Sequence, residues 1–508
     1  MVARPTFGTD GMRGRANTEL TPELVLALGR AFARVTHSKR CLVGRDTRLS
    51  GPMLQSALQA GLCSEGVDVV DLGVLPTPGI AWLSGDLDCP AAVISASHNP
   101  FFDNGIKLFM AGGAKLADEQ ENTIEAELAS LLGTSGQPPD IALAGPASTT
   151  TDSPPPDLVA GSECVTQPGM EPRTHADRIG NLTLDEAGST RYVDHLTGAL
   201  AGQTLDGIKV VLDTANGATA ALAPVVFRRL GADVIHLAGD PDGTNINERC
   251  GSTHPEAMTR EVLAHGADAG LAFDGDGDRL IAADGNGKLV DGDETMAILA
   301  ADLAARGLLA RSCVVVTVMT NLGFHRAMDS LGIRVLQTDV GDRYVLEALE
   351  KEGLVLGGEQ SGHVILRHLA STGDGMLTGI SLLGVVARTG RSLADLAAGS
   401  MKRFPQELVS IAVPDPSALH GAHRVWAEVD QVHAELDGEG RVLVRASGTE
   451  KVVRVMAEAS SAALAGEMAN RLAKVVAEEL GIRPDGESVE EASESSPATG
   501  GAFQAAGL

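Results

Sequence analysis

The sequence predicts an α/β protein with three similar α/β domains in tandem, built on mixed sheets, followed by a smaller C-terminal α+β domain. With 508 residues, the chain exceeds the size at which a single hydrophobic core stops growing. Short aliphatic runs alternate with stretches of helical periodicity, which is typical of α/β units. The C-terminal part combines strand-like runs with one amphipathic helix, which is typical of an α+β domain. The predicted domains are residues 1–133, 178–291, 292–403 and 404–482.

The first α/β domain begins its clear alternation at Cys41. CLVG (Cys41–Gly44) and VDVVDLG (Val67–Gly73) predict strands, and the apolar periodicity of Pro52–Cys63 predicts a helix between them. AAVIS (Ala91–Ser95) predicts a further strand. These elements indicate a largely parallel or mixed sheet with helices in the connections.

The next two α/β domains repeat this pattern. KVVLD (Lys209–Asp213) leads into TANG and a predicted helix that ends at Leu230. CVVVTV (Cys313–Val318) leads into MTNLG and a predicted helix that ends at Leu331. A strand followed by a Thr/Asn/Gly turn and a helix occurs in both, which is a weak internal repeat.

The C-terminal domain has a different pattern. Residues from Leu408 to Ala459 are strand-rich, and Gly438-Glu439-Gly440 predicts a hairpin turn among them. A single amphipathic helix, Ala462–Leu480, is predicted to end the domain.

Two segments are predicted to be disordered. Residues 134–177 contain eight of the 23 prolines with many Ser, Thr and Gly, and they show no periodicity. The tail, residues 483–508, is rich in Glu, Ser, Gly and Ala. Neither could bury enough apolar surface to offset the entropy of ordering it.

Composition excludes several classes of function. Aromatic residues are only 3% and the net charge is −27, so we expect no nucleic-acid partner. No apolar run approaches the roughly 20 residues of a membrane-spanning helix, so we expect no membrane partner. The N-terminus has no apolar h-region and the six cysteines are scattered, which predicts a cytoplasmic protein with reduced thiols. An acidic chain can still bind an anionic metabolite where basic residues converge.

An acidic, glycine-rich loop, DGDGDR (Asp274–Arg279), follows the strand-like run GLAF. Its three carboxylates alternate with glycines, which impose little steric limit on the backbone. Such a loop can turn all three carboxylates toward one hard cation, and oxygen ligands suit Mg²⁺. An EF-hand would have Gly and Glu where this chain has Arg279 and Gly285. The sequence therefore favours an Mg²⁺ site over a solvated acidic turn.

A second motif, SASHNP (Ser95–Pro100), also lies at the end of a predicted strand, where open α/β sheets bind ligands. It offers a hydroxyl, a titratable ring and a rigid turn. No serine lies in a GxSxG elbow, which disfavours an esterase-type nucleophile. Taken alone, the motif is better interpreted as an ordinary Asn-Pro turn.

Three further clusters carry polar side chains on glycine-rich segments. RASGTE offers a guanidinium, two hydroxyls and a glycine backbone, which together could bind a phosphate. In GGEQSGH, Glu359, Ser361 and His363 occupy alternate positions of a predicted extended loop. Each cluster alone could be a simple turn. They are FGTDGMRG (Phe7–Gly14), GGEQSGH (Gly357–His363) and RASGTE (Arg445–Glu450).

Together, the five motifs occur in an order that resembles the α-D-phosphohexomutase superfamily. GEQSGH, ISASHNP and VGDRYV (Val340–Val345) most resemble its bacterial branch that acts on glucosamine phosphates. The resemblance runs from Thr6 to about Leu480. It implies four domains around a central cleft, Mg²⁺ as cofactor, sugar phosphates as partners, and a hexose 1,6-bisphosphate as intermediate and activator. The assembly that we set out for testing is a homodimer.

The resemblance also implies residue roles. Ser97 would be phosphorylated, and a phosphoserine oxygen would bind Mg²⁺ together with Asp274, Asp276 and Asp278. Arg13, His98, Lys107 and Arg279 match positions around the phosphoserine. Glu359, Ser361 and His363 would contact the sugar, while the non-reacting phosphate would be held by Arg445, Ser447, Gly448 and Thr449.

The chain departs from the family pattern at two positions. Many relatives have Pro after RxSGTE, where this chain has Lys451, and some branches have His where it has Asp342. The general base that takes the proton from the sugar hydroxyl is therefore left open among His363, His98 and Asp342.

The resemblance implies an isomerase-class phosphotransferase that interconverts glucosamine 6-phosphate and glucosamine 1-phosphate, feeding UDP-N-acetylglucosamine and cell-wall synthesis. Phosphomannomutase or phosphoglucomutase activity is the alternative within the superfamily. A phosphatase would need no second phosphate site, and a silent sugar-phosphate binding protein would be expected to lack Ser97 or one of the aspartates.

Overall fold

The computed structural model describes residues 7–8, 11–133, 178–185, 187–447 and 451–481. The predicted disordered segments, 134–177 and 483–508, lie outside the described residues. The chain forms two compact units, which we describe separately. The first unit comprises Met1–Met319 and Ile333–Ser400, and the second comprises Thr320–Gly332 and Met401–Leu508.

The first sheet of the first unit has seven strands in the order β1-β2-β6-β5-β3-β4-β7. Strand β3 is parallel to both β4 and β5, and β4 is parallel to β7. Strand β6 is antiparallel to β5 and to β2. The elements are β1 (Phe7–Gly8), β2 (Gly11–Arg15), α1 (Pro22–Thr36), β3 (Arg40–Arg45), α2 (Gly51–Ser64), β4 (Asp68–Val74), α3 (Thr77–Asp86), β5 (Ala91–Ile94), β6 (Asp103–Phe109), α4 (Asp118–Leu132) and β7 (Leu182–Leu184).

Helix α1 shows how local sequence sets these boundaries. Thr21 accepts a hydrogen bond from the backbone N–H of Leu24, and Pro22 occupies the first turn, where its missing N–H costs nothing. The helix ends at Thr36, and the next residue, His37, adopts the left-handed conformation. Its buried face, which includes Leu28 and Phe32, packs into the core of this sheet.

The second sheet has five strands in the order β12-β11-β10-β8-β9. Strand β10 is parallel to β8 and antiparallel to β11, so the acidic loop joins the two strands of a hairpin. The elements are α5 (Gly188–Gly198), β8 (Lys209–Asp213), α6 (Ala223–Arg229), β9 (Asp233–Leu237), α7 (Glu256–His265), β10 (Ala269–Phe273), β11 (Leu280–Asp284), β12 (Leu289–Val290) and α8 (Gly292–Ala305).

The third sheet has four strands in the order β14-β13-β15-β16. Strands β13, β14 and β15 are parallel, and β16 is antiparallel to β15. The elements are β13 (Cys313–Thr317), α9 (Leu322–Ser330), β14 (Arg334–Thr338), α10 (Asp342–Glu352), β15 (Leu356–Gly358), β16 (Val364–Leu366), α11 (Gly375–Thr389) and α12 (Leu393–Ser400); of these, α9 belongs to the second unit.

The second unit contains a three-stranded antiparallel sheet in the order β17-β19-β18. Its strands and helices are β17 (Gln406–Ala412), α13 (His423–Leu436), β18 (Gly440–Ala446), β19 (Val452–Ala459) and α14 (Ala462–Leu480). A buried carboxylate, Glu458, ties α9 to this sheet by accepting from Asn321 Nδ2 at 3.1 Å and from Arg441 Nε at 2.6 Å.

The predicted fold class, α/β with a smaller α+β domain, is confirmed, as is helix α14. Two predictions for the C-terminal region were wrong. Gly438-Glu439-Gly440 does not turn between strands, because it joins α13 to β18. Helix α13 was also missed, although its buried residues Val425, Val429, Val432 and Leu436 follow helical spacing.

None of the described helices is both long enough and apolar enough to cross a membrane.

Candidate active site

Ser97 lies in the loop that follows β5. Its φ is 51°, in the left-handed region that residues other than glycine rarely adopt, and only 1% of its surface is exposed. Ser97 Oγ donates a hydrogen bond to Asp274 Oδ2 at 2.5 Å. The structure therefore brings the predicted phosphoserine into direct contact with the acidic loop, at a position where the backbone is strained.

The acidic loop lies between β10 and β11, and its aspartates Asp274, Asp276 and Asp278 are all buried. One oxygen of each carboxylate lies within 4.8 Å of the others. Among the residues that the structure describes, Asp276 Oδ1 and Asp278 Oδ1 have no hydrogen-bond partner. Buried carboxylate oxygens without a donor are costly unless a cation fills the role. This triad could hold a metal ion.

The alternating glycines are needed for close packing here. Gly277 has a φ of 76°, and a Cβ atom at Gly275 would lie 2.6 Å from the carbonyl oxygen of Ser97. A side chain at Gly275 would therefore push the acidic loop away from Ser97, whereas one at Gly277 would be strained and would meet Thr219 Cγ2 at 2.5 Å.

The electrostatics of the triad are uneven. Burial, together with the charges of Asp278 and Asp276, raises the pKa of Asp274 well above its usual range. Burial also opposes ionisation of Asp278, but Lys107 and His363 outweigh it and hold the pKa of Asp278 well below its usual range. Lys107 Nζ lies 2.7 Å from Asp276 Oδ2 and 3.2 Å from Asp278 Oδ2. Lysine thus compensates part of the negative charge of the loop.

The other predicted residues around Ser97 are close by. Burial and the cationic side chains of Arg279 and Arg13 lower the pKa of His98 to about 4, so its imidazole is neutral at physiological pH. His98 Nδ1 lies 3.4 Å from Ser97 Oγ. The backbone N–H of Arg279 donates to Asp274 Oδ1 at 3.2 Å. Arg13, His98, Lys107 and Arg279 therefore surround Ser97 and the triad with donors and positive charge.

The GEQSGH segment is the tight loop of the β15–β16 hairpin and not the predicted extended loop. The backbone N–H of Glu359 donates to the carbonyl of His363 at 3.0 Å, which closes the hairpin. Glu359 Oε1 accepts from the N–H of Gly341 at 3.1 Å, and Ser361 Oγ donates to Glu359 Oε2 at 3.3 Å. Leu280, which follows the acidic loop, donates its N–H to the carbonyl of Gly362 at 3.0 Å, so the two loops are adjacent.

His363 is buried and lies beside the acidic loop. Its Nδ1 is 3.7 Å from Asp278 Oδ2, and its Nε2 accepts from the N–H of Gly373 at 3.1 Å. Burial lowers its pKa, but the bond to Asp278 and the charge of that carboxylate outweigh burial and leave the pKa raised. Asp342 Oδ2 lies 3.4 Å from His363 Nε2 and also pairs with Lys115 Nζ. Two of the three candidate bases thus interact with each other, and His98 lies apart beside Ser97.

Sequence reasoning missed residues that touch the site. Thr77 Oγ1 donates to Asp276 Oδ2 at 2.6 Å, and the N–H of Thr77 donates to the Asp276 carbonyl at 2.9 Å. Arg48 and Asn247 hold the backbone of Ser97. The turn-like context of Thr77, between Pro76 and Pro78 at the start of α3, was the only local signal available.

The predicted phosphate residues belong to the second unit. Arg445 on β18 lies directly across from Arg454 on β19, and burial together with that neighbouring charge lowers the pKa of Arg445. Ser447 is buried, and its N–H donates to the carbonyl of Val452 at 2.9 Å. Gly448 and Thr449 lie outside the described residues. Two like charges side by side favour binding of an anion.

Comparison with protein families assigns four segments of the chain to one family. The matching models are Phosphoglucomutase/phosphomannomutase, alpha/beta/alpha domain I (residues 4–132), domain II (190–287), domain III (291–404) and the C-terminal domain (408–475).

Curated relatives match almost end to end. The chain is 49% identical over 457 residues to a phosphoglucosamine mutase from Moorella thermoacetica, covering 89% of this chain and 94% of the relative. It is 48% identical over 484 residues to a phosphoglucosamine mutase from Thermobifida fusca, covering 94% and 99%.

Solved structures show the same fold at lower identity. A phosphoglucomutase/phosphomannomutase family protein from Burkholderia thailandensis superposes with a TM-score of 0.73 at 24% identity, covering 94% of this chain and 98% of that one. N-acetylphosphoglucosamine mutase from Aspergillus fumigatus, in complex with GlcNAc-6P and magnesium, gives 0.62 at 18% identity, covering 93% and 96%.

Proposed function

This chain belongs to the phosphoglucomutase/phosphomannomutase family, and we propose that it interconverts glucosamine 6-phosphate and glucosamine 1-phosphate. It is an isomerase-class intramolecular phosphotransferase that works through a phosphoserine. The observation that carries the proposal is the 2.5 Å contact between Ser97 Oγ and Asp274 Oδ2, which joins a strained, buried serine to an acidic triad. The sugar follows from relatives named phosphoglucosamine mutase that match this chain over nearly their whole length.

The triad fits Mg²⁺, the cofactor that the motifs imply. Asp274, Asp276 and Asp278 would hold it together with an oxygen of phosphorylated Ser97, since all four side chains are oxygen donors of the kind that Mg²⁺ prefers. Two of the carboxylate oxygens are buried and lack a hydrogen-bond donor among the described residues. When bound, the cation would draw negative charge from the phosphoryl group.

The reaction itself requires positioning and charge compensation. In the first transfer, the bond between phosphorus and Ser97 Oγ breaks while a sugar hydroxyl oxygen bonds to phosphorus. The hydroxyl proton passes to a general base, and Ser97 is left unphosphorylated. The candidates for this base are His363, His98 and Asp342. Lys107, Arg13 and Arg279 provide the donors that balance charge on the phosphoryl oxygens. The product is a hexose 1,6-bisphosphate, whose other phosphate then returns to Ser97.

Each transfer leaves one phosphate of the sugar unreacted. We assign Arg445 and Ser447 to this phosphate, with Gly448 and Thr449 as the sequence implies. Burial and the neighbouring charge of Arg454 lower the pKa of Arg445, which shows that positive charge is concentrated at this point of the second unit. Glu359, Ser361 and His363 are assigned to the sugar.

We further propose a cytoplasmic location. Five cysteines in the described part of the chain are free thiols, as expected in a reducing compartment: Cys41, Cys63, Cys89, Cys250 and Cys313. A homodimer stays a proposal, to be tested by sedimentation.

The test is isomer formation measured against phosphate release. Purified enzyme is incubated with Mg²⁺, glucosamine 6-phosphate and a trace of hexose 1,6-bisphosphate. We expect glucosamine 1-phosphate to form with little inorganic phosphate, and intact-mass analysis to find one phosphoryl group on Ser97. A phosphatase would release inorganic phosphate at least as fast as it formed any isomer.

Ser97→Ala should abolish isomer formation and the added mass. The matched control is Ser130→Ala on α4, because Ser130 is exposed and far from the motifs in sequence. Near-normal activity in Ser97→Ala would refute the phosphoserine mechanism.

A further inference from the structure

A fully buried arginine, Arg48, is bonded to the loop that carries Ser97. None of its side chain is exposed, and its Nε donates to Asp46 Oδ2 at 2.8 Å. Its remaining side-chain nitrogens donate to three backbone carbonyls of the phosphoserine loop and one at the start of β6: those of Ser97 and Asn99 (2.8 Å each), Pro100, and Asp103 (3.1 Å). A buried charge is tolerated only with such partners, so this loop is built around the guanidinium.

Asn247 reaches the same carbonyls from a different segment of the first unit. Its Nδ2 donates to the carbonyl oxygen of Ser97 at 2.9 Å and to that of Asn99 at 3.0 Å. Asn247 is buried, and its own N–H donates to the carbonyl of Ala215 at 2.9 Å. A Cβ atom at Gly275 would lie 2.8 Å from Asn247 Nδ2, so the acidic loop packs against this contact.

The backbone N–H of Ser97 is also connected to Asp46, whose carboxylate accepts from Arg48. The N–H of Ser97 donates to Ser95 Oγ at 3.0 Å, and Ser95 Oγ donates to Asp46 Oδ2 at 2.6 Å. The N–H and the carbonyl of Ser97 are therefore both connected to Asp46, one through Ser95 and the other through Arg48. These bonds hold Ser97 in its left-handed conformation, which would otherwise be disfavoured.

The segment that carries Arg48 is also joined to the residues around the second sheet. Thr47 Oγ1 donates to the carbonyl of Asn216 at 2.6 Å, and the N–H of Leu49 donates to the carbonyl of Gly243 at 2.8 Å. The position of Ser97 is thus set by the first and second sheets together, and the acidic loop belongs to the second.

We propose that Arg48 and Asn247 are positioning residues for phosphoryl transfer, which fix the Ser97 backbone so that its Oγ faces the acidic loop. The inference rests on the proposed function of Ser97. The carbonyl oxygen of Ser97 accepts from both side chains. This also keeps the carbonyl turned away from an anionic phosphoryl group on Oγ. Neither residue has to touch the sugar, so both should act on the transfer rate and not on substrate affinity.

The test follows the labelling of Ser97 directly. Dephosphorylated enzyme is mixed with Mg²⁺ and glucose 1,6-bisphosphate, quenched at intervals and examined by intact mass. We expect Asn247→Ala and Arg48→Lys each to lower the labelling rate constant by about 10- to 100-fold, because small misplacements of a reacting group cost this much. The half-saturating bisphosphate concentration should change by less than about twofold. The double variant should be less impaired than the product of the single effects, because both residues act on one carbonyl.

Asn245→Ala is the matched control. Asn245 lies in the same loop as Asn247, but its Nδ2 donates to the carbonyl of Asp240 at 3.0 Å. This variant should label at the wild-type rate. The ³¹P resonance of phosphorylated Ser97 should shift in Asn247→Ala and stay in place in Asn245→Ala, which a general loss of stability would not produce.

Wild-type labelling of a folded Asn247→Ala variant, or equal slowing in Asn245→Ala, would overturn the proposal. If Arg48→Lys does not fold, Asn247→Ala alone decides. The experiment measures phosphorylation of Ser97 and not formation of an isomer. It therefore stays valid if the assigned sugar is wrong. Absence of label in the wild type would overturn both the proposed function and this inference.

Discussion

Thr77 holds one oxygen of Asp276, a proposed metal ligand, and so leaves the other oxygen available. Asp276 Oδ2 accepts from Thr77 Oγ1 at 2.6 Å and from Lys107 Nζ at 2.7 Å. Asp276 Oδ1 is buried and has no hydrogen-bond partner in the described part of the chain. Residues that orient metal ligands in this way commonly affect metal affinity by 10- to 100-fold.

We therefore expect Thr77→Val to weaken Mg²⁺ binding about tenfold, since valine keeps the shape and removes the donor. Isothermal titration of chelator-stripped enzyme with Mg²⁺ measures this without relying on activity. Thr77→Ser should restore the affinity. Thr219→Val is the control, because the Thr219 side chain lies beside Gly277 of the acidic loop but its Oγ1 has no hydrogen-bond partner among the described residues. Equal weakening by both valine variants would show that packing, and not the hydroxyl, matters.

The sequence predicted the site residues that lie within motifs and missed the site residues that lie outside them. Ser97 and the three aspartates stand out because glycine, proline and polar residues cluster around them in the chain. Thr77 meets Asp276 across 199 positions, and Asn247 meets Ser97 across 150. Contacts of that separation depend on how the sheets pack, which residue spacing does not encode.

Among the elements, α5 and α11 are joined by a buried pair. Tyr192 on α5 donates its hydroxyl to Asp374 Oδ2 at 2.6 Å, and Asp374 caps α11 by accepting from the N–H of Leu377 at 2.9 Å. Burial raises the pKa of Asp374 to about 6 despite these donors. The ionised form is therefore less favourable in the folded protein than in the unfolded chain.

The sign of the pH effect follows from this shift. The folded state keeps the Asp374 proton to a higher pH than the unfolded chain does, so stability is lost as pH rises from about 4 to about 6 and stays low above it. Asp374→Asn removes the ionisation, and its amide can still accept from Leu377. We expect the thermal midpoint of this variant, relative to wild type, to be higher at pH 8 than at pH 4.5. Between these two pH values the stabilisation of the variant relative to wild type should grow by about 2 kcal/mol.

Tyr192→Phe provides the opposite change. It keeps the carboxylate but removes a donor to it, so it should lose more stability at pH 8 than at pH 4.5. Both variants are to be melted with a chelator present, so that metal binding does not contribute. A pH-independent difference between Asp374→Asn and wild type would contradict the assigned role of this carboxyl group.

Element prediction succeeded where one period dominated the local sequence. Strands such as β8 and β13 are continuous aliphatic runs and were placed within a residue or two of their observed bounds. Helix α13 was missed because its charged face, including His423, Arg424 and Glu428, interrupts the apolar pattern between two strand-like runs. The GEQSGH hairpin was predicted as extended because its closure depends on the bond between Glu359 and His363, which local composition does not reveal.

At the scale of the whole molecule, the net charge is negative, whereas the regions predicted to bind anions are locally positive. The chain carries −27, yet its predicted anion-binding residues gather positive charge locally. Arg13, Lys107 and Arg279 do so around Ser97 in the first unit, and Arg445 and Arg454 in the second. The order of five motifs was enough to predict the family, and four of them, SASHNP, DGDGDR, GGEQSGH and RASGTE, lie at the carboxyl end of a strand. Which sugar binds depends on only a few contacts and needs its own test.

We expect Glu359 to determine which sugar is preferred. Its carboxylate is half-buried at the tip of the β15–β16 hairpin, where Gly341 and Ser361 supply one donor to each oxygen. Carboxylate oxygens have lone pairs for further donors. An ammonium at the second carbon of the sugar would make a charge-assisted hydrogen bond there, and a hydroxyl would make a weaker one. A bond of that kind contributes about 1.5–3 kcal/mol, which is roughly a tenfold to hundredfold preference.

We therefore expect kcat/KM for glucosamine 6-phosphate to exceed that for glucose 6-phosphate and mannose 6-phosphate by about tenfold or more. Glu359→Gln should reduce this ratio toward one, because the amide keeps the shape of the side chain and loses its charge. Ser361→Ala is the matched control: it removes a neighbouring hydroxyl, keeps the carboxylate, and should preserve the ratio even if it slows the reaction. A better rate with glucose or mannose 6-phosphate in the wild type would refute the assigned sugar and leave the phosphohexomutase mechanism standing. A preference for glucosamine that survives Glu359→Gln would instead keep the substrate and show that another group recognises its amine.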